Sequence, residues 1–378
     1  MFKWSSLDPA VKCSEVVAAI NIEKVTPQII VSITELLTTA MSIHGLECCA
    51  ETSDAAGCNW VAAKDIMSTN TIEDVLPQAL MDKYPDIDFK IMIVSFDEVT
   101  GQWFFFIPDM PHLTKNIVTT IEKSSTKSSK RNIKYGKCFI NLQLIELVWL
   151  ATGGATGQFH ETKLSVYHFD KNAHSRMNVS LAVQILSQSV AKMIRDAIDD
   201  EEVVVGSIRN KGILNHTADL CEKWNLVVDI CNGRAQGGKL SPHTPANANE
   251  RITTLLDVLK WFSKWKKLHD TRVQSGEATA YNFFADETWF CIRALILANV
   301  GMIHTYCVVM KVELNPRSLT TDPVEHFFGD ARQMIGGSTS ALTARQMNQA
   351  GFKANAFNAF SAKLVGNNKS AFARHKRF

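Results

Sequence analysis

Residues 46–60, LECCAETSDAAGCNW, decide how the first third of the chain is read. A short, half-apolar run ends on a carboxylate, Asp54, and small residues follow before a helical pattern resumes near Val61. That order predicts a strand, an acid at its carboxyl end, a loop and a helix. Open α/β sheets place their ligands beyond the carboxyl ends of the strands. By itself Asp54 also fits a plainer role, since Asp is a common turn and N-cap residue.

The flanks agree with this reading. Thr26-Pro27 opens a helix with Ile29, Ile30, Ile33, Leu36, Leu37, Ala40 and Met41 on one apolar stripe, and Gly45 stands where a C-cap is wanted. Residues 88–108 (DFKIMIVSFDEVTGQWFFFIP) form two apolar runs around DEVTGQ, the pattern of a hairpin. Asp109 ends the second run, and MPHLTKNIVTTIEK then turns helical. Residues 123–137 (KSSTKSSKRNIKYGK) are basic and free of acids, which suits either a solvated loop or a phosphate contact. Beyond them the pattern is mainly helical, with 181–198 and 255–268 as periodic stretches and a Gly/Pro/Asn-rich loop at 234–250. The tail SAFARHKRF is basic.

Composition narrows the function classes. At 378 residues and 46% hydrophobic content the chain can bury a sizeable core, and a formal net charge of +2 confines any nucleic-acid surface to a patch. Nine scattered cysteines without paired CxxC units argue against a disulfide framework or a structural zinc module. No run of eighteen uninterrupted apolar residues occurs, and MFKWSSLDPAVK lacks a signal-peptide pattern, so a soluble intracellular protein without membrane contact is expected. ATGGATGQ (151–158) lacks the spacing of a phosphate-binding loop.

A second acidic feature lies far down the chain, in TDPVEHFFGDARQMIGG (321–337). Asp322 and Glu325 share one face if that stretch is helical. Carboxylates that hold Mg²⁺ for phosphoryl chemistry must converge from rigid elements, so Asp54 and Glu325 could be partners or unrelated surface groups.

Four blocks in order carry a family likeness: TSDAAGCN (52–59), FFFIPDMPHLTKNI (104–117), LSVYHFDKNAHSRMNVSLAVQILSQSVAKMI (164–194) and TDPVEHFFGDARQMIGGSTSALTARQM (321–347). Together the sequence resembles P-element-type transposases, which include proteins carrying THAP zinc fingers. The resemblance implies an α/β, RNase H-like fold interrupted by a large, mainly helical insertion that binds GTP. Its boundaries would be 1–122 for the first RNase H-like part, 123–317 for the insertion, 318–350 for the return and 351–378 for a basic tail. The catalytic set of the family is Asp, Asp, Glu; the second Asp corresponds to Asp54 and the Glu to Glu325, holding Mg²⁺ or Mn²⁺. Asp322 would be an acidic neighbour of that metal site. Asp109 and Lys115, in the block similar to Asp-x-Pro-His-Leu-x-Lys, would support it. Within LVVDICNG (226–233), Asp229 and Asn232 would hold the guanine nucleotide, although Val228 stands where the family has Phe. Lys127, Lys130, Arg131 and Lys134 are the DNA-contact candidates.

The resemblance further implies DNA, both transposon ends and target, as partner, a homo-oligomer if the protein is active, and a nuclear location. The strand bearing the family's first catalytic Asp has no room before residue 54, and no THAP-type zinc finger spacing is present. The expectation is therefore an N-terminally truncated, catalytically impaired transposase. The other function considered is a domesticated, non-catalytic nuclear protein that binds DNA or nucleotide.

Overall fold

The structure, a computed structural model, describes residues 2–5, 7, 14–18, 26–46, 48–54, 61, 70–98, 100–125, 131–154, 162–170, 178–199, 211–234 and 241–320. The expected helix after Val61, the remainder of the glycine-rich 151–158 stretch beyond Gly154, and the whole of 321–347 lie outside these residues.

The chain divides into two units. In the first, residues 1–25 with 320–378, strands β1 (Phe2–Ser5) and β2 (Ser14–Ala18) pair antiparallel. The second unit is Thr26–Leu319 and carries the rest of the described structure.

The second unit begins with helix α1 (Pro27–Ile43), started as the sequence predicts: the Thr26 hydroxyl accepts from the Ile29 N–H at 3.4 Å. It ends at His44, and Gly45 takes φ +70°, a conformation glycine adopts without steric cost. The apolar stripe, however, is only partly covered. Met41 and Thr34 are buried, while Leu36 and Ile43 stay 65% and 77% exposed. Thr34 reaches the sheet, donating to the Glu51 carboxylate at 3.2 Å. Periodicity identified the helix but not the side that would be covered.

Strand β3 (Ala50–Ser53) runs parallel to β5 (Gln102–Pro108), and β4 (Val94–Asp97) pairs antiparallel with β5, giving the order β3-β5-β4. The β4–β5 turn is the expected one: Asp97 accepts from the Thr100 hydroxyl at 2.8 Å and Gly101 takes φ +71°. A central strand is covered on both faces, and Phe105, Phe106 and Ile107 are correspondingly buried.

Short helix α2 (Gln78–Met81) precedes β4, and helix α3 (Met110–Glu122) follows β5 directly. A small hairpin, β6 (Lys134–Tyr135) with β7 (Cys138–Phe139), leads into helices α4 (Leu142–Ala151), α5 (Val166–Phe169), α6 (Val179–Ile185) and α7 (Gln188–Asp199). The periodic stretch 181–198 is thus two helices rather than one. Ser187 explains the break, because its hydroxyl donates to the Gln184 carbonyl at 2.7 Å and accepts from Val190 N–H at 3.4 Å. A serine that bonds the local backbone on both sides offers an alternative to the helical ladder.

Three long helices complete the unit: α8 (Lys211–Cys231), α9 (Ala248–Gln274) and α10 (Asp286–Met302), the last running on into a π-helical turn, Ile303–Val309. The stretch Asp286–Val309 is long and apolar enough to cross a membrane by length and composition, yet 72% of its apolar window is buried within the protein. α10 packs against β5 and α9, so its hydrophobicity is spent on this core. The architecture is mixed α/β, mostly helical with small sheets.

Candidate functional site

The parallel pairing of β3 and β5 brings two acids side by side. Ser53 is opposite Pro108 in the register, so Asp54 and Asp109 both follow at the same end of neighbouring strands. The Asp109 N–H donates to the Ser53 carbonyl at 2.8 Å, which fastens the two exits together. The residues then diverge. Asp54 is exposed. Asp109 is 0% exposed and N-caps α3, accepting from His112 N–H at 3.3 Å and meeting His112 Nδ1 at 2.5 Å. A carboxylate spanning the first turn of a helix satisfies its unpaired N–H groups and suits the positive end of its dipole. His112 is the group that sequence reading passed over; its signal is its place at the third helical position after an Asp.

The other strand-end candidates fall elsewhere. Lys115 lies further along α3 and lines a narrow cleft with Glu122, His168 and Asp170. In that cleft His168 is fixed from both sides. Its Nδ1 accepts from Ser165 N–H at 2.9 Å, so Nε2 carries the proton toward Gln184 Oε1 at 2.8 Å. Glu325 and Asp322 lie outside the described residues, as do Lys127 and Lys130. Among the described residues no three His, Cys, Asp or Glu side chains converge to hold a metal. Asp109 is already committed to the helix cap and to His112. Hence the described donors do not make up a Mg²⁺ set.

Asp229 and Asn232 close α8. The ending is a Schellman turn: Gly233 N–H donates to the Ile230 carbonyl at 3.0 Å and Arg234 N–H to the Asp229 carbonyl at 2.7 Å. Gly233 takes φ +62°, and a Cβ there would come within 2.6 Å of Pro316 Cγ and 2.9 Å of the Ser241 carbonyl oxygen. Only glycine fits. Asp229 is half-buried, and its carboxylate accepts from Asn225 Nδ2 at 2.8 Å. Burial raises its pKa above the ordinary carboxylate range, with Asn225 and the nearby Arg234 working against that shift. Helix C-termini present unpaired carbonyls and a partial negative charge. Here the Schellman bonds satisfy the Asp229 and Ile230 carbonyls, so what this end of α8 offers is the half-buried Asp229 carboxylate, three residues before Asn232.

The corner is braced by a cluster absent from the sequence reading. Arg251, on α9, donates to the Pro242 carbonyl at 3.1 Å and the Ser241 carbonyl at 3.2 Å, and contacts His243 Nδ1. His243 is 1% exposed, and burial together with Arg251 pushes its pKa down to about 3, so it is held neutral. Its backbone pairs with Leu314 through two bonds of 2.9 Å, which ties the loop after Gly233 to the end of the unit.

Of the DNA-contact candidates, Arg131 and Lys134 lie among the described residues. Lys134 lies in β6, and its carbonyl accepts from Trp265 Nε1 at 2.7 Å, so the hairpin is pinned to α9.

The described residues thus form a mixed α/β structure, mostly helical with small sheets. Residues 112–244 match the family model described as TNP-like, GTP-binding insertion domain, a span that contains Asp229, Asn232 and Lys134. The structure resembles the Drosophila P element transposase strand transfer complex at a TM-score of 0.60 and 14% identity, covering 97% of this chain and 75% of that one. No curated protein matches the sequence. The P-element-type, transposase-like character read from the four sequence blocks is borne out by the first two comparisons.

Proposed function

We propose that this is a transposase-derived protein that binds GTP at the carboxyl end of α8 and has DNA as its polymeric partner. The observation that carries the reading is the insertion-domain match over 112–244 with Asp229 and Asn232 at a single helix end. Guanine offers N1–H and N2–H side by side, which one carboxylate can accept together, and the Asn232 amide can donate to O6 or bond the ribose. Adenine offers no such pair, so the corner discriminates between purines. The α/β unit supports an RNase H-like reading: a parallel pair of strands with Asp54 and Asp109 at its carboxyl edge is the arrangement in which such sheets carry sites. On that reading Asp54, with Glu325 and Asp322, would supply oxygen ligands for Mg²⁺ or Mn²⁺ in DNA cleavage and strand transfer. Asp109 and Lys115 would act in support, and Arg131 and Lys134, with Lys127 and Lys130, on DNA phosphates. A homo-oligomer in the nucleus belongs to the same proposal.

Calorimetric titration with GTP and with ATP tests the nucleotide arm. GTP is expected to bind and ATP to bind much more weakly. Asp229→Ala should weaken GTP by about tenfold or more, the scale of a hydrogen-bonded charged group. Equal affinity for the two nucleotides, or an Asp229→Ala chain that binds GTP unchanged while folded by circular dichroism, would overturn the assignment.

A further inference from the structure

Asn225, Asp229 and Asn232 are spaced four and three residues apart, which sets them on one face of the last turns of α8. All three are half-buried, between Trp224, Val227, Val228, Ile230 and Cys231, which are buried. The turn that carries Asn225 is fixed in place. Trp224 is fully buried, and its Nε1–H donates to Thr114 Oγ1 on α3 at 3.0 Å. From that anchored turn the Asn225 amide donates to Asp229 Oδ2 at 2.8 Å. Charged groups on the elements packed against α8 have other work. Arg195 of α7 holds Asp219 and Glu222, and Arg251 of α9 holds the Ser241 and Pro242 carbonyls. Arg317 lies in the 3₁₀ turn Pro316–Leu319, and Arg234, just past the helix end, is the charge that acts on Asp229.

A carboxylate that accepts two N–H groups from one base edge must lie close to the plane of that base. The last torsion of an Asp side chain is broad, so an unrestrained carboxylate samples many planes, and stopping it on binding costs affinity. Each carboxylate oxygen has room for two donors. Asn225 therefore occupies one position on Oδ2 and leaves another there, together with all of Oδ1. We propose that Asn225 is a positioning residue for guanine, holding the Asp229 carboxylate in one orientation so that both oxygens meet the base edge together. The inference rests on the assignment of GTP to this corner and adds the residue that orients its acceptor. The same bond favours the ionised carboxylate, the form that accepts both N–H groups.

The test is calorimetric titration of the full chain with GTP, run from neutral to acid pH on the parent, Asn225→Leu and Asn225→Gln. Leu is close to Asn in shape but has no donor, and Gln offers its amide to an Asp four residues on. At neutral pH Asn225→Leu should weaken GTP by about tenfold, the scale of a hydrogen bond to a charged group. Burial raises the Asp229 pKa and Asn225 works against that rise, so without Asn225 the affinity should begin to fall at a higher pH. Asn225→Gln should restore most of both effects. Asn225→Ala removes the donor without adding volume and reads the same way if the Leu chain does not fold. Asn225→Leu with unchanged affinity and pH profile, in a chain that loses GTP on Asp229→Ala, overturns the positioning role and leaves the nucleotide corner standing. Weaker binding with an unmoved pH profile and no rescue by Gln also overturns it, because that is the mark of lost packing alone. A parent chain that binds no GTP removes the corner and the role of Asn225 with it.

Discussion

Replacing Asp109 separates two roles that its carboxylate combines. The side chain is fully buried, caps α3 through His112 N–H and bonds His112 Nδ1, while its own N–H reaches Ser53. Asp109→Ala removes the cap, which costs about 1 kcal/mol and up to about 2. It also removes the imidazole bond, a further ~1 kcal/mol, at the low end because His112 is 28% exposed and can rehydrate. The expected loss is about 2 kcal/mol. Asp109→Asn keeps an acceptor of nearly equal capping strength and loses only the charge opposite the imidazole, so about 1 kcal/mol or less is expected. Urea unfolding at neutral pH measures both, and amide exchange over 110–122 locates the loss in the first turn of α3. If Asn is as costly as Ala, the cap is not what Asp109 contributes. If Ala costs nothing measurable, the account of the strand-to-helix junction fails.

Gly301→Ala would place a methyl 2.7 Å from Phe105 Cε1 and 2.8 Å from Ile72 Cδ1, both buried. The gain in helix propensity, about 1 kcal/mol, is set against an overpacking cost of about 1–3, so unfolding should show a net loss near 1 kcal/mol that Phe105→Leu partly relieves. His243 has a folded pKa near 3, below its ordinary 6.5, so its contribution is present above about pH 6.5 and is lost as pH falls toward 3. His243→Gln keeps an acceptor for Arg251 without titrating, and its stability should fall less steeply across that window than the parent's in parallel urea series. Because burial raises the Asp229 pKa, and guanine is accepted by the ionised form, GTP affinity should weaken on acidification earlier than an ordinary carboxylate would allow. A pH series of calorimetric titrations reads that midpoint, and an affinity that is flat down to the ordinary carboxylate range would contradict it.

The sequence by itself determined the elements whose causes are local. Thr26-Pro27 and Gly45 bound α1, the DEVTGQ turn makes the β4–β5 hairpin, and Asp109 starts α3, because caps and turns depend on a few adjacent residues. Four ordered blocks also carried the transposase-like character. What only the tertiary structure decided depends on residues far apart in the chain. The parallel register that sets Asp54 beside Asp109 is a pairing between strands fifty residues apart, and no local pattern encodes it. The exposure of Leu36 and Ile43 shows the same limit, since periodicity fixes an apolar face but not whether anything covers it. Arg251 under the loop that follows α8, and the row His216–Tyr135–Trp261, arise from helices and a hairpin meeting in space. Those contacts brace the loop beside Asp229 and gather scattered aromatics into one packed cluster, because the chemistry of each lies in neighbours that the sequence keeps apart.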